Sequence, residues 1–242
     1  MIALDPTVWG LLVVGAFVGA AFQGMVGFGL AFTVVPLLAV VEPLAIPTVP
    51  LLLTLPMVVG NMIADLAHID LRGSGLIVAG RVPGTLIGAG LLLIVRPEVL
   101  GIVVACALLA SVLIGVREAP ALTDRNRLAA GLASGIMGTA AGLGGPPVSM
   151  VYRGQPAAVF RATVSTALLA GIALSMAAVV VLDRGSQQHV LLSLALVPAA
   201  VLGLAVSRKW GRNVSGRRLQ QFVLGLGGVA ALATITQAVV NL

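Results

Sequence analysis

Gly142-Leu143-Gly144-Gly145-Pro146-Pro147 lies inside an apolar stretch long enough to cross a bilayer, and Gly24-Met25-Val26-Gly27-Phe28-Gly29 interrupts the corresponding place in the first half of the chain. Consecutive glycines and a double proline break helices instead of packing them. A helix broken inside hydrocarbon leaves N–H and C=O groups that lipid cannot satisfy, so each break has to line a protein cavity or a solute site. Pro146 and Pro147 suit the first turn of a new helix, where no N–H partner is needed. That helix start, and a matching one just after Gly29, would point free N–H groups and the positive end of a helix dipole into the protein, a polarity that favours an anion. The polar side chains beside these ends are Gln23 and Thr33 at the first break, Thr139 and Ser149 at the second.

Working outward, 59% hydrophobic residues, 9% charged residues and a mean hydropathy of +1.13 exclude a soluble domain. Spans of about 20 residues are needed to cross. The sequence offers Val8 to Val26 (continuing from Phe28 to Val41), Leu44 to Leu66, Ser74 to Val95, Val99 to Val116, Leu128 to Tyr152, Ala158 to Leu182, Val190 to Val206 and Leu219 to Val240. The expected fold is an all-α polytopic membrane protein of about eight transmembrane helices. Nucleic acid is not an expected partner despite the net charge of +6, because the basic residues sit in short loops between spans. Arg208, Lys209, Arg212, Arg217 and Arg218 crowd one loop, which is assigned to the cytoplasm and puts both termini outside. Arg96, Arg153 and Arg161 then fall inside; Arg72, Arg117, Arg125, Arg127 and Arg184 fall outside. The N-terminal residues carry no cleavable-leader pattern. The single Cys106 excludes an internal disulfide and reads as a small core residue.

Offsetting the halves by about 115 residues aligns Gly15 and Gly19 with Gly131 and Gly135, and Pro83 to Gly88 with Pro198 to Gly203. The chain therefore reads as two four-helix repeats, 1–116 and 128–242, each with a broken first helix, joined by an inter-repeat loop, 117–127. If both breaks continue across the membrane, the copies are parallel; if a segment turns back, they are inverted.

Gly15, Gly19, Gly131 and Gly135, at four-residue spacing, suit close helix packing. Arg81 within the third span is either a functional cation or a side chain snorkelling to the interface. Arg161 in Phe160-Arg161-Ala162-Thr163 either faces the broken helix or marks the cytoplasmic boundary. Asn61, Asp65, His68 and Asp70 form either a proton relay or an ordinary wet helix end. Glu42 and Asp183 read as interfacial boundaries.

The first glycine motif leading to Val35-Pro36-Leu37-Leu38, followed by Ala45, Thr48 and Asp70, and the second-half motifs at 142–147 and 160–163, resemble the sulfite exporter TauE/SafE family, also called the 4-toluene sulfonate uptake permease family. The resemblance implies a multi-pass protein of the bacterial inner membrane that moves small sulfur-containing or organic anions (sulfite, sulfonate, sulfoacetate-like). Its expected mode is export by alternating access around a central site; the alternative is an anion channel with the same site. Phe28, where relatives carry a denser glycine run, leaves solute size open. The expected substrate-binding set is Gln23, Gly27, Phe28, Gly29, Arg81, Thr139, Gly144, Gly145, Pro146, Ser149 and Arg161. Partners are a small anion, the lipid bilayer and a possible homodimer. No Gly-x-x-x-x-Gly-Lys-Ser/Thr loop is present, and no enzymatic activity, metal or cofactor is expected.

Overall fold

The structure, a computed structural model, describes residues 5–26, 29–95, 97–210, 225, 227–229 and 231–232, among which there is helix and no strand. The helices are α1 (Pro6–Val26), α2 (Leu30–Val41), α3 (Thr48–Ala64), α4 (Leu71–Ile94), α5 (Pro97–Val116), α6 (Asp124–Ala141), α7 (Gly145–Tyr152), α8 (Ala157–Val181) and α9 (Gln187–Trp210). Four stretches, Pro6–Met25, Leu71–Ile94, Ala157–Val181 and Gln187–Ser207, are long and apolar enough to cross a membrane. α2, α3 and most of α5 are shorter apolar helices. Local chemistry sets the polar starts: the Asp70 carboxylate accepts from the Gly73 N–H at 2.8 Å, and Thr123 caps α6 by accepting from Asn126. The expected last span falls outside the described residues except at 225, 227–229 and 231–232, which are helical. Gly27, Phe28, Arg96, Arg212, Arg217 and Arg218 also lie outside them.

Both glycine runs turn the chain back on itself. α2 returns alongside α1, with the Thr33 hydroxyl donating to the Gly15 carbonyl at 2.8 Å. α7 returns alongside α6, so that Arg127 near the start of α6 lies over the ring of Tyr152 at the end of α7, 5.8 Å from its centroid. The expected fifth span is therefore two helices, and neither broken first helix carries straight on. The reversals pass through glycines in conformations that L side chains resist, Gly29 at φ 156° and Gly142 at φ 73°. A Cβ on Gly29 would come 2.8 Å from the Phe22 Cβ, and one on Gly142 would come 2.6 Å from the Pro50 Cγ.

The reversals redistribute the charges. Arg127 pairs with Asp70 at 2.7 Å, Arg161 with Asp65 at 2.8 Å and Arg72 with Asp124, while Arg153 donates to the carbonyls of Gly115 and Arg117. Arg72, Arg117, Arg127, Arg153 and Arg161 thus share one end of the bundle, although counting each break as a crossing had split them between two. At the opposite end, Nε2 of His189 lies 3.7 Å from Glu42.

Glycines set the closest helix pair. A Cβ on Gly80 or Gly84 of α4 would fall 2.1 or 2.2 Å from the carbonyl oxygens of Leu128 and Leu132 on α6. One on Gly131 or Gly135 would fall 2.1 or 2.6 Å from those of Ile77 and Arg81. Gly131 and Gly135 are therefore packing residues against α4, whereas Gly15 and Gly19 pack against α2. α9 packs on α1 in the same way, with Gly203 against the Phe17 carbonyl. Cys106 is exposed, not a core residue: α5 turns Val104, Ala105 and Leu108 inward and leaves the intervening position on its outer face.

Candidate functional site

The α4–α6 contact carries Arg81 inward. Ten residues past Leu71, it sits about 15 Å along its helix at 1.5 Å per residue. Only 1% of it is exposed, which removes the snorkelling reading. Its Nη1 donates to the Ser134 hydroxyl at 2.7 Å, and that hydroxyl donates to the Gly144 carbonyl at 2.6 Å. Among the described residues Nε has no hydrogen-bond partner. Among the described residues no carboxylate forms an ion pair with Arg81. An arginine at the centre of a membrane helix costs about 2.5–3.5 kcal/mol, so an unpaired one calls for a reason.

Three glycines make room for this guanidinium. A Cβ would lie 1.9 Å from Nε if built on Gly171, 2.7 Å from Nη2 on Gly138 and 3.0 Å from Nη1 on Gly144. They come from α8, from α6 and from the turn between α6 and α7. The guanidinium faces a cavity of about 30 Å³ lined also by Gln23, Gly29, Thr54, Gly145, Pro146 and Leu168. Both reversals thus meet at the arginine.

Of the residues singled out in the sequence, Gln23, Gly29, Arg81, Gly144, Gly145 and Pro146 line this cavity. Thr139 instead pairs with Ser175 at 2.9 Å and ties α6 to α8. The Ser149 hydroxyl is buried without a partner, outside the cavity lining. Gly27 and Phe28 lie outside the described residues. Arg161 lines a second cavity of about 90 Å³, together with Gln23, Asn61, Ser165 and Leu168. The helix starts give fewer donors than expected, because Pro146 and Pro147 have no N–H and the Leu30 N–H is taken by the Gln23 amide oxygen at 3.3 Å. The concentrated positive charge is the guanidinium.

Sequence reading missed Ser134, Gly138 and Gly171. Gly171 left a signal, since an isolated glycine inside a helix costs about 1 kcal/mol against alanine and needs a reason. Ser134 left none: its role depends on a residue 53 positions away.

The acidic cluster separates into two devices. Asp65 serves Arg161, while Asp70 accepts from Arg127, the Tyr152 hydroxyl and Gly73, and its N–H donates to Thr163. Burial pushes the Asp70 carboxyl up, but the Gly73 N–H, the Tyr152 hydroxyl and the charges of Arg127 and Arg72 outweigh it and hold it below its ordinary 3.8. This group latches the starts of α4 and α6 to the end of α7 and to α8. His68 is exposed and takes no part in these contacts.

The family described as sulfite exporter TauE/SafE matches residues 11–234, nearly the whole chain. No curated protein and no solved structure matches it.

Proposed function

The chain belongs to the sulfite exporter TauE/SafE family of membrane transporters, and on that premise we propose that it carries small sulfur-containing or organic anions such as sulfite and sulfonates by alternating access, with Arg81 as the central binding cation. One observation carries this reading: a buried guanidinium with no carboxylate partner among the described residues, facing a cavity where two chain reversals meet. An anion arriving there supplies the missing counter-charge, in a low-dielectric setting that strengthens the attraction. The Gln23 amide and the polar backbone of Gly144 and Gly145 then orient it.

The arrangement of the halves supports the mechanism. Residues 1–116 and 128–242 exchange helices: α4 of the first packs on α6 of the second, and α9 of the second packs on α1 of the first. The hairpins enter from opposite ends, and with the expected last span, Leu219 to Val240, taken as a crossing each half would contribute an odd number of crossings, the relation of inverted repeats. Rocking one half against the other would expose Arg81 to each side in turn. The shared arginine end is cytoplasmic by the positive-inside rule, in a bacterial inner membrane, and export is the direction of travel.

The test is sulfite flux in proteoliposomes holding the full chain. Wild-type flux saturates with concentration, and Arg81→Ala lowers it at least a hundredfold at sub-saturating sulfite, about 3 kcal/mol of lost charge pairing. Flux that does not saturate favours a channel; flux unaffected by Arg81→Ala removes the site.

A further inference from the structure

The second cavity adjoins the first. It shares Gln23 and Leu168 with the first, so those two side chains form the wall between them. α8 lines both, with Arg161 on one side and Ile172 on the other; Gly171, against the Arg81 guanidinium, is ten residues from Arg161, about 15 Å along the helix. The second cavity is also the larger, about 90 Å³ against about 30 Å³.

Arg161 and Arg81 differ in how their charge is held. Arg81 is buried with no carboxylate partner among the described residues, whereas the Arg161 side chain is 40% exposed and binds Asp65 through Nε, which leaves its two Nη groups as donors. With the Arg161 side chain 40% and the Asp65 side chain 16% exposed, the pair is only partly screened by solvent, and an arriving anion displaces the carboxylate by engaging the two free Nη groups.

We propose that the cavity beside Arg161 is a second, weaker anion site, an antechamber at the arginine-rich end, where the solute replaces Asp65 on the guanidinium before passing Gln23 and Leu168 to reach Arg81. The assignment rests on the transport reading above and adds to it a route and an order of contacts. Asp65 is a competitor for the cation: it keeps the antechamber neutral until an anion arrives. Asn61 and Ser165 supply uncharged polar groups in the same wall.

Two variants that break the same ion pair have opposite consequences here. Arg161→Gln removes the docking cation and raises the half-saturating sulfite concentration, supplied from the arginine-rich end, about tenfold, the size of one charge-assisted hydrogen bond. Asp65→Asn frees the cation and lowers that concentration by a factor of about three, the modest gain expected when a partly screened carboxylate no longer competes. The assay is proteoliposome flux with the full chain oriented either way, and thermal unfolding of each variant checks its fold. If the pair is only structural, both variants shift flux in the same direction or leave it unchanged, and the antechamber is overturned. Should Arg161→Gln fail to fold, Asp65→Asn decides alone: a lower half-saturating concentration supports the site, and an unchanged or higher one refutes it. A wild-type protein without sulfite flux sinks the transport reading instead. Flux abolished by Arg81→Gln, with both ion-pair variants moving together, sinks only the antechamber.

Discussion

The hairpin of α1 and α2 and the hairpin of α6 and α7 both reverse at a glycine of positive φ and both deliver a helix start to the central cavity, yet they equip it differently. The first brings an amide, Gln23, whose oxygen is already spent on the Leu30 N–H. The second brings Ser134, Gly138 and Gly144, which together seat the Arg81 guanidinium. A cation is held by the second hairpin and only approached by the first. The same local device, a glycine reversal, therefore yields a charged wall in one case and a neutral, adjustable one in the other.

That contrast is breakable. The largest effect after loss of Arg81 itself belongs to Gly171→Ala, whose added methyl would occupy the position of Nε. The guanidinium must swing out of its seat and lose its bond to Ser134, so the half-saturating sulfite concentration rises by a factor of about 10–100, the worth of a hydrogen bond to a charged group. The melting temperature falls as well, because the folded protein loses the same buried hydrogen bond to Ser134. Unaltered sulfite affinity in this variant would show that the glycine seat is irrelevant. Gln23→Ala, on the neutral wall, has a smaller effect, about fivefold on flux for a single neutral hydrogen bond. A larger loss from Gln23→Ala than from Gly171→Ala reverses the ranking of the two hairpins.

The smallest effect falls on the latch at the arginine-rich end. Asp70→Asn removes the acceptor shared by Arg127 and Tyr152 and lowers the melting temperature by about 2–4 °C, the shift expected for about 1 kcal/mol in a chain of this size. Because the folded carboxyl lies below its ordinary 3.8, the stabilisation is fully present above about pH 4 and is lost as pH falls through the folded value. Acid unfolding of the wild type and of Asp70→Asn should therefore converge at low pH and differ near neutrality. A constant gap across the range would mean that Asp70 acts through shape and not through charge.

Local rules account for much of what was legible beforehand. Hydropathy identified membrane helices, since apolar length alone decides whether a segment can cross, and the glycine runs located the breaks, because consecutive glycines and double prolines interrupt helices wherever they occur. Arg81 was visible for the same reason: a charge among apolar residues stands out without any partner in view. Which way the chain went after each break was not legible, since glycine permits several directions and only packing of α2 on α1 and of α7 on α6 selects the reversal. From that choice followed the gathering of Arg72, Arg117, Arg127, Arg153 and Arg161 at one end. The seat of Arg81 was equally hidden, being built from residues of α6 and α8 that approach it only after the helices pack, as the 53-residue separation of Arg81 and Ser134 illustrates. Sequence by itself determined that this protein lives in a membrane, where its helices fail and which charge is out of place; tertiary structure alone decided that both failures turn inward upon that charge, because direction and enclosure depend on contacts between distant parts of the chain.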